Sequence, residues 1–208
     1  MRLSHLTDNK QHFAQWLLEV GHDTNLDTNR TIPFDINMRV DDSDTLINII
    51  YPNIEQLLPP PSYFIDRIIL APRNADVKDL NCAILQCFPG ELLTNYSADS
   101  IEMEPGVFSN CHQIPLEYLR SINHSGLPPG ELHVKLGCPL ILLQNLAPAQ
   151  GLCNRTRLIL CHATHRVLKV EILGGQHNGQ VTFIPHIALI PSTQPAISFQ
   201  LCCCQFPI

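Results

Sequence analysis

From Leu132 onward the apolar residues recur at every second position. Leu132, Val134 and Leu136 alternate with His133 and Lys135, and Leu168, Val170 and Ile172 alternate with Lys169 and Glu171. A period of two places alternate side chains on one face of an extended segment, the signature of a half-buried strand. Short apolar runs at 140–143, 157–161, 181–184 and 187–190 extend the series. They are separated by Gly137-Cys138-Pro139, a loop over 145–153, and the turn signals Gly174-Gly175 and Asn178-Gly179. Five or six short strands in about 60 residues, joined by glycine and asparagine turns, predict a small β-barrel, an architecture suited to binding or positioning. Residues 191–208 carry no pattern that continues it.

The first half reads differently. Phe13, Trp16, Leu17 and Val20 fall on one side of a 3.6-residue period, with Thr7 or Asp8 as a cap and Gly21 as a stop, so an amphipathic helix is expected. Residues 22–45 are polar and turn-rich, and Leu46, Ile47, Ile49, Ile50 and Tyr51 then predict a short helical element ending at Pro52. Pro59-Pro60-Pro61 is a stiff connector.

The continuous apolar run at 68–71 has the form of a strand buried on both faces of a parallel sheet. Pro72 stops it, and Asn74 or Asp76 can cap a helix whose apolar positions are Val77, Leu80, Ile84 and Phe88, ended by Pro89-Gly90. Strand, tight turn and helix form the half-unit of a nucleotide-handling α/β sheet, with the ligand side at the turn. Arg73 sits in that turn beside a helix N-terminus, which favours anions. Two readings stand for it: a phosphate contact, or a surface arginine paired with Asp76 or Asp99. Residues 91–113 read as an acidic loop, 114–123 as a short helix carrying Leu116, Tyr118 and Leu119, and 125–130 as a rigid turn.

Charge and chemistry narrow the function. The 208 residues carry a formal charge of −6, with only 15% charged residues. Residues 1–116 hold 7 Lys/Arg against 16 Asp/Glu, whereas 117–208 hold 6 against 3, so only the second stretch suits an anionic partner. No apolar run approaches the ~20 residues of a membrane span, and the N-terminus lacks a secretory apolar core; an intracellular, membrane-free protein is expected. The nine cysteines form no C-x-x-C pair, which argues for free thiols over a zinc site. The nearest approach to a phosphate-cradling G-x-x-x-x-G-K-[ST] loop is Gly174 to Gly179 followed by Gln180-Val181, without the lysine or the hydroxyl. There is no G-x-S-x-G nucleophile elbow, and no complete catalytic set is legible.

The order of segments resembles a known family. Residues 13–21 (FAQWLLEVG), 66–74 (DRIILAPRN) and 80–91 (LNCAILQCFPGE) resemble the Pif-type DNA helicases of superfamily 1, in particular the branch carried by Helitron transposons. Residues 117–119 (EYL), 125–129 (SGLPP), 136–146 (LGCPLILLQNL), 151–158 (GLCNRTRL) and 183–185 (FIP) are similar to that family's 2B domain. The resemblance implies an incomplete RecA-like motor portion followed by a small Src-homology-three-like barrel: 1–62 ending domain 1A, 63–113 opening domain 2A, 114–190 the 2B domain, and 191–208 a truncated return to 2A. It implies that the family's ATP and magnesium machinery lies outside these residues, so that no cofactor or metal is expected here and the chain is not itself an enzyme. Arg73 and Asn74 match the motif IV turn near the nucleotide and DNA cleft. Lys135, Asn145, Asn154, Thr156 and Arg157 match the 2B stretch that contacts or shapes the path of single-stranded DNA. Arg155 stands where the family usually has glycine, and Cys202-Cys203-Cys204 where it is usually basic.

Two functions follow as expectations. One is a helicase remnant, nuclear by resemblance, with weak, salt-sensitive affinity for single-stranded DNA. The other is a structural or protein-interaction module whose partner is an intact helicase or another protein. Without its parallel neighbours, the run at 68–71 should leave apolar surface exposed.

Overall fold

A computed structural model gives the architecture and describes residues 8–22, 32, 39–56, 58–102, 127–189 and 200–208. The expected helix at 114–123 lies outside them. The chain divides into two units, 1–46 and 47–208.

In the first unit, α1 (Asp8–Gly21) is the expected amphipathic helix. Phe13 and Trp16, one turn apart, stack with centroids 5.7 Å apart, and Gln15 donates to Glu19 across the next turn. The acidic run before α2 (Ser43–Ile50) has a local purpose. Asp42 accepts from the Thr45 backbone N–H at 2.7 Å and from the Thr45 hydroxyl at 2.8 Å, an N-cap. Those bonds to the charged form hold the Asp42 carboxyl below its ordinary range.

The second unit starts from an aromatic cluster. A 3₁₀ turn at Pro61–Phe64 follows the proline run and brings Tyr63 edge-on to Phe64 at 5.1 Å, with Tyr51 and Phe88 each just over 6 Å from the Phe64 ring. Phe64 and Phe88 are buried, and both belong to the same core as the β residues. Helix α3 (Asn74–Cys87) lies where the 3.6 period puts it, with Leu80 and Ile84 packed partly against that core.

The run at 68–71 forms no strand, contrary to expectation. Ile68 is 49% exposed and Leu70 83% exposed. Every ladder among the described residues is antiparallel, so no parallel neighbour covers this run. Its composition suits a buried strand, but burial is supplied by neighbours and not by composition. The apolar exposure expected around it is present.

The β portion has nine strands: β1 (Leu93–Tyr96), β2 (Ala98–Glu102), β3 (Glu131–Val134), β4 (Pro139–Ile141), β5 (Arg157–Ala163), β6 (Val167–Leu173), β7 (Val181–Pro185), β8 (Ile187–Leu189) and β9 (Gln200–Gln205). They form a four-stranded meander β4-β5-β6-β7, a three-stranded sheet β2-β9-β8 and a pair β1-β3. The alternation that predicts β6 is realised: Leu168, Val170 and Ile172 are buried while Val167 and Lys169 face solvent. On the inner face they meet Leu158, Leu160 and Ile184 in the core.

Three further expectations are corrected. The small β-barrel is not closed among the described residues. Chain direction changes at His186, between β7 and β8, and carries the strand from one sheet into the other. A single backbone bond, Leu143 N–H to Pro207 C=O at 2.8 Å, reaches across toward β4, without a ladder. Residues 91–113 are not all loop, because 93–96 and 98–102 become strands by pairing with β3 and β9. Residues 191–208 do continue the fold: β9 is the central strand of its sheet, and Phe206 and Ile208 are buried. Cysteine behaves there as a small hydrophobe, with Cys202 and Cys203 buried.

Candidate nucleic-acid interface

Arg73 and Asn74 open α3. Arg73 is the N-cap, in extended conformation, and no side chain caps the helix. Its guanidinium makes a two-pronged pair with the Asp76 carboxylate, both bonds 2.9 Å, and its side chain is 79% exposed. Of the two acidic partners weighed for it, Asp76 is the one it meets. The Asp76 carboxylate also sits in the first turn, where the helix dipole favours negative charge.

The five residues from the 2B-like stretch are mostly turned inward. Lys135 Nζ donates to the Phe88 carbonyl at 2.6 Å, satisfying the C-terminal end of α3. Asn145 Oδ1 accepts from the Asn154 backbone N–H at 2.7 Å. The Thr156 hydroxyl donates to the Gly151 carbonyl at 2.9 Å and accepts from the Cys153 N–H at 3.1 Å. Together with the Ala147–Leu152 bridge, these bonds close the 145–156 loop on itself. Gly151, in the left-handed region at φ 81°, lies against the His177 ring, which leaves no room for a Cβ. Arg157 donates to the carbonyls of Phe64, Ile65 and Arg67, so it fastens the end of the 61–64 turn to β5. The structure therefore groups Asn145, Asn154 and Thr156 in one loop, and places Lys135, Arg157 and the Arg73–Asn74 turn elsewhere.

Arg155, in the same loop, has φ 69°. This is the left-handed conformation that a glycine adopts without steric cost. Arg155→Gly is expected to stabilise the chain by about 1 kcal/mol, read as a higher urea midpoint at unchanged m-value; an unchanged or lower midpoint would show that the turn is not strained.

A solvent-facing row was not foreseen. On the outer face of the meander, His162 pairs with Lys169, and Lys169 with Phe183. All three are exposed, and the Phe183 ring is 61% exposed. A bulge at Cys161 shifts the register of β5 and turns His162 into that row. The alternation of β6 flags Lys169 as outward, but only the register shows what lies beside it.

No nucleophile is prepared. Cys204 Sγ lies 3.2 Å from His186 Nδ1, yet burial, then Cys202 and Asp99, raise its thiol pKa, the opposite of what activation requires. Burial, reinforced by Asp99, pushes Cys203 up to about 12, and burial pushes Cys138 up to about 11. Among the described residues no cluster of three or more His, Cys, Asp or Glu is placed to hold a metal, and no helix is long and apolar enough to cross a membrane. An open cleft of about 380 Å³ lined by Ile49, Ile50, Asp66, Arg67 and Ile68 has its one cation occupied, since Arg67 lies 4.4 Å over the Tyr63 ring and donates to the Tyr63 carbonyl.

Fold and side chains together define a mixed helix-and-sheet protein with an antiparallel β portion organised for positioning. Residues 117–162 match the family model described as DNA helicase Pif1, 2B domain. Over 95% of its length the chain is similar to 42% of the Pif1 helicase of Candida albicans, at 15% identity and a TM-score of 0.51. Over 94% of its length it is similar to 37% of a Bacteroides Pif1 in complex with ADP-AlF3 and ssDNA, at 14% identity and a TM-score of 0.48. A Bacteroides Pif1 double mutant matches all of this chain over 39% of its own, at 14% identity and a TM-score of 0.47. No curated protein matches the sequence. The chain spans less than half the length of each of these structures. Lys135, Asn145, Asn154, Thr156 and Arg157 all fall inside the 2B-domain match.

Proposed function

We propose that the chain is part of a Pif-type DNA helicase of the Helitron-transposon branch. In this reading 1–62 close a RecA-like domain 1A, 63–113 open domain 2A, 114–190 form a Src-homology-three-like 2B domain, and 191–208 return to 2A. The β portion holds single-stranded DNA weakly in the nucleus, without a metal or cofactor of its own, and these residues do not turn over ATP. The observation that carries the reading is the 2B-domain match over 117–162, in the half of the chain where basic residues exceed acidic ones by 6 to 3. The absence of a phosphate-cradling loop from these 208 residues supports the lack of turnover.

The test is fluorescence anisotropy of a labelled oligothymidylate across a salt series, with ATP turnover followed in parallel. The expected dissociation constant is about 10⁻⁶ to 10⁻⁴ M near physiological salt, falling steeply as salt is lowered. No binding even at low salt would remove the DNA reading, and turnover above buffer background would remove the statement about ATP. A second reading, a protein-interaction module docking on an intact helicase or another protein, is favoured by the exposed apolar side chains of Ile65, Ile68 and Leu70. Absence of DNA binding would leave that reading in place.

A further inference from the structure

The side chains that the family likeness points to are largely engaged in holding the fold: Lys135 and Arg157 reach backbone carbonyls, and Asn145 and Thr156 close a loop. If the β portion meets DNA, other groups must do it. Between residues 139 and 189 there are four Lys/Arg and one acidic residue, Glu171, in a chain whose net charge is −6. Two of the four, Arg155 and Arg157, lie at the loop and its exit. The other two, Arg166 and Lys169, belong to the β5–β6 hairpin, are exposed, and form no ion pair among the described residues.

Lys169 stands at the centre of the cross-strand row, between His162 and Phe183. Cross-strand partners share a face and stand close enough to act on one ligand. Three strands at ordinary spacing make the row about 10 Å wide. Sequence-tolerant recognition of a single strand needs two things side by side: an aromatic face for a base and a cation for the neighbouring phosphate. Phe183 and Lys169 supply both on a rigid sheet, with the Leu168, Val170 and Ile184 core directly behind them.

We infer that the outer face of the β5–β6–β7 sheet is a single-stranded DNA contact surface. Phe183 is its stacking platform, Lys169 its phosphate contact, His162 completes the row, and Arg166 extends the positive charge at the hairpin tip. The inference rests on the DNA reading above and gives it a location. Glu171, one row along the same face and partly buried, bounds the surface by repelling phosphate.

The experiment uses the full chain and a labelled oligothymidylate at several salt concentrations. It compares the unsubstituted protein with Lys169→Glu/Phe183→Ala, Phe183→Leu and, as a charge control on the exposed side of α3, Lys78→Glu. The double substitution is expected to weaken binding about tenfold or more and to flatten the log–log salt slope by about 0.7, the share of one phosphate contact. Phe183→Leu keeps an apolar side chain without the π face, so it should weaken binding at an unchanged slope even if the double variant folds poorly. Lys78→Glu should stay within twofold. An oligonucleotide carrying 5-iodouracil should crosslink to the peptide containing Phe183. No binding by the unsubstituted protein would remove both the DNA reading and this surface. Binding that survives the double variant within twofold, or crosslinks confined to other peptides, would overturn the surface alone and leave the DNA reading standing.

Discussion

Arg157→Ala is expected to destabilise the chain by about 2–4 kcal/mol, measured by urea unfolding, with little effect on oligonucleotide affinity per folded molecule. The guanidinium sits at the first residue of β5 and donates to three backbone carbonyls, those of Phe64, Ile65 and Arg67, more than 90 positions away for Phe64. Hydrogen bonds from a charged donor contribute about 1.5–3 kcal/mol each, and truncation leaves the acceptors unpaired. Those carbonyls follow a turn whose Phe64 ring is 1% exposed, so loosening them disturbs the aromatic cluster as well as the bonds. Arg157→Lys should recover little, because one ammonium cannot reproduce a planar fork aimed at three acceptors. The opposite pattern, unchanged stability with a weakened and less salt-dependent DNA affinity, would restore Arg157 to the interface and refute the structural role.

How much of this was legible depends on whether a feature is local. Helices α1 and α3 and strand β6 were readable because the period of their apolar residues is visible within one segment. Strands β1 and β2 were not: Asn95, Ser97, Asp99 and Ser100 give no apolar alternation, and only pairing with β3 and β9 makes them strands. The run at 68–71 failed in the other direction, since its residues ask for burial that no described neighbour supplies. The same distinction governs the site. That Lys135 and Arg157 are basic residues in a 2B-like stretch could be read from the sequence, but the direction of a side chain is a tertiary fact. The positive φ of Arg155 was anticipated only through the likeness to a family with glycine there. The row of His162, Lys169 and Phe183 depends on a bulge and on two strand registers, neither of which is encoded locally.

Removing residues 200–208 is expected to abolish cooperative unfolding of the β portion, seen as a broad, shallow denaturation curve and loss of dispersed amide resonances. Strand β9 lies between β2 and β8, so its loss leaves two strands with no partner in their sheet. The residues after it are equally committed. Phe206 is fully buried edge-on against the His186 ring at 4.9 Å. The Gln205 side chain, also fully buried, donates to the carbonyls of Asn95 at 3.3 Å and Pro129 at 3.4 Å and accepts from the Phe206 N–H. One side chain thus ties β1, the turn before β3 and β9 together, and its removal would strand buried carbonyls in an apolar surround. A graded version separates loss of packing from loss of chain: Phe206→Ala alone should cost about 3–5 kcal/mol through the lost transfer energy and the cavity left behind, with unfolding still cooperative. Gln205→Leu should also destabilise, because it fills the same space without pairing either carbonyl. A truncated chain that retains a sharp transition at the original midpoint would mean that the Cys202-Cys203-Cys204 strand decorates a core complete without it.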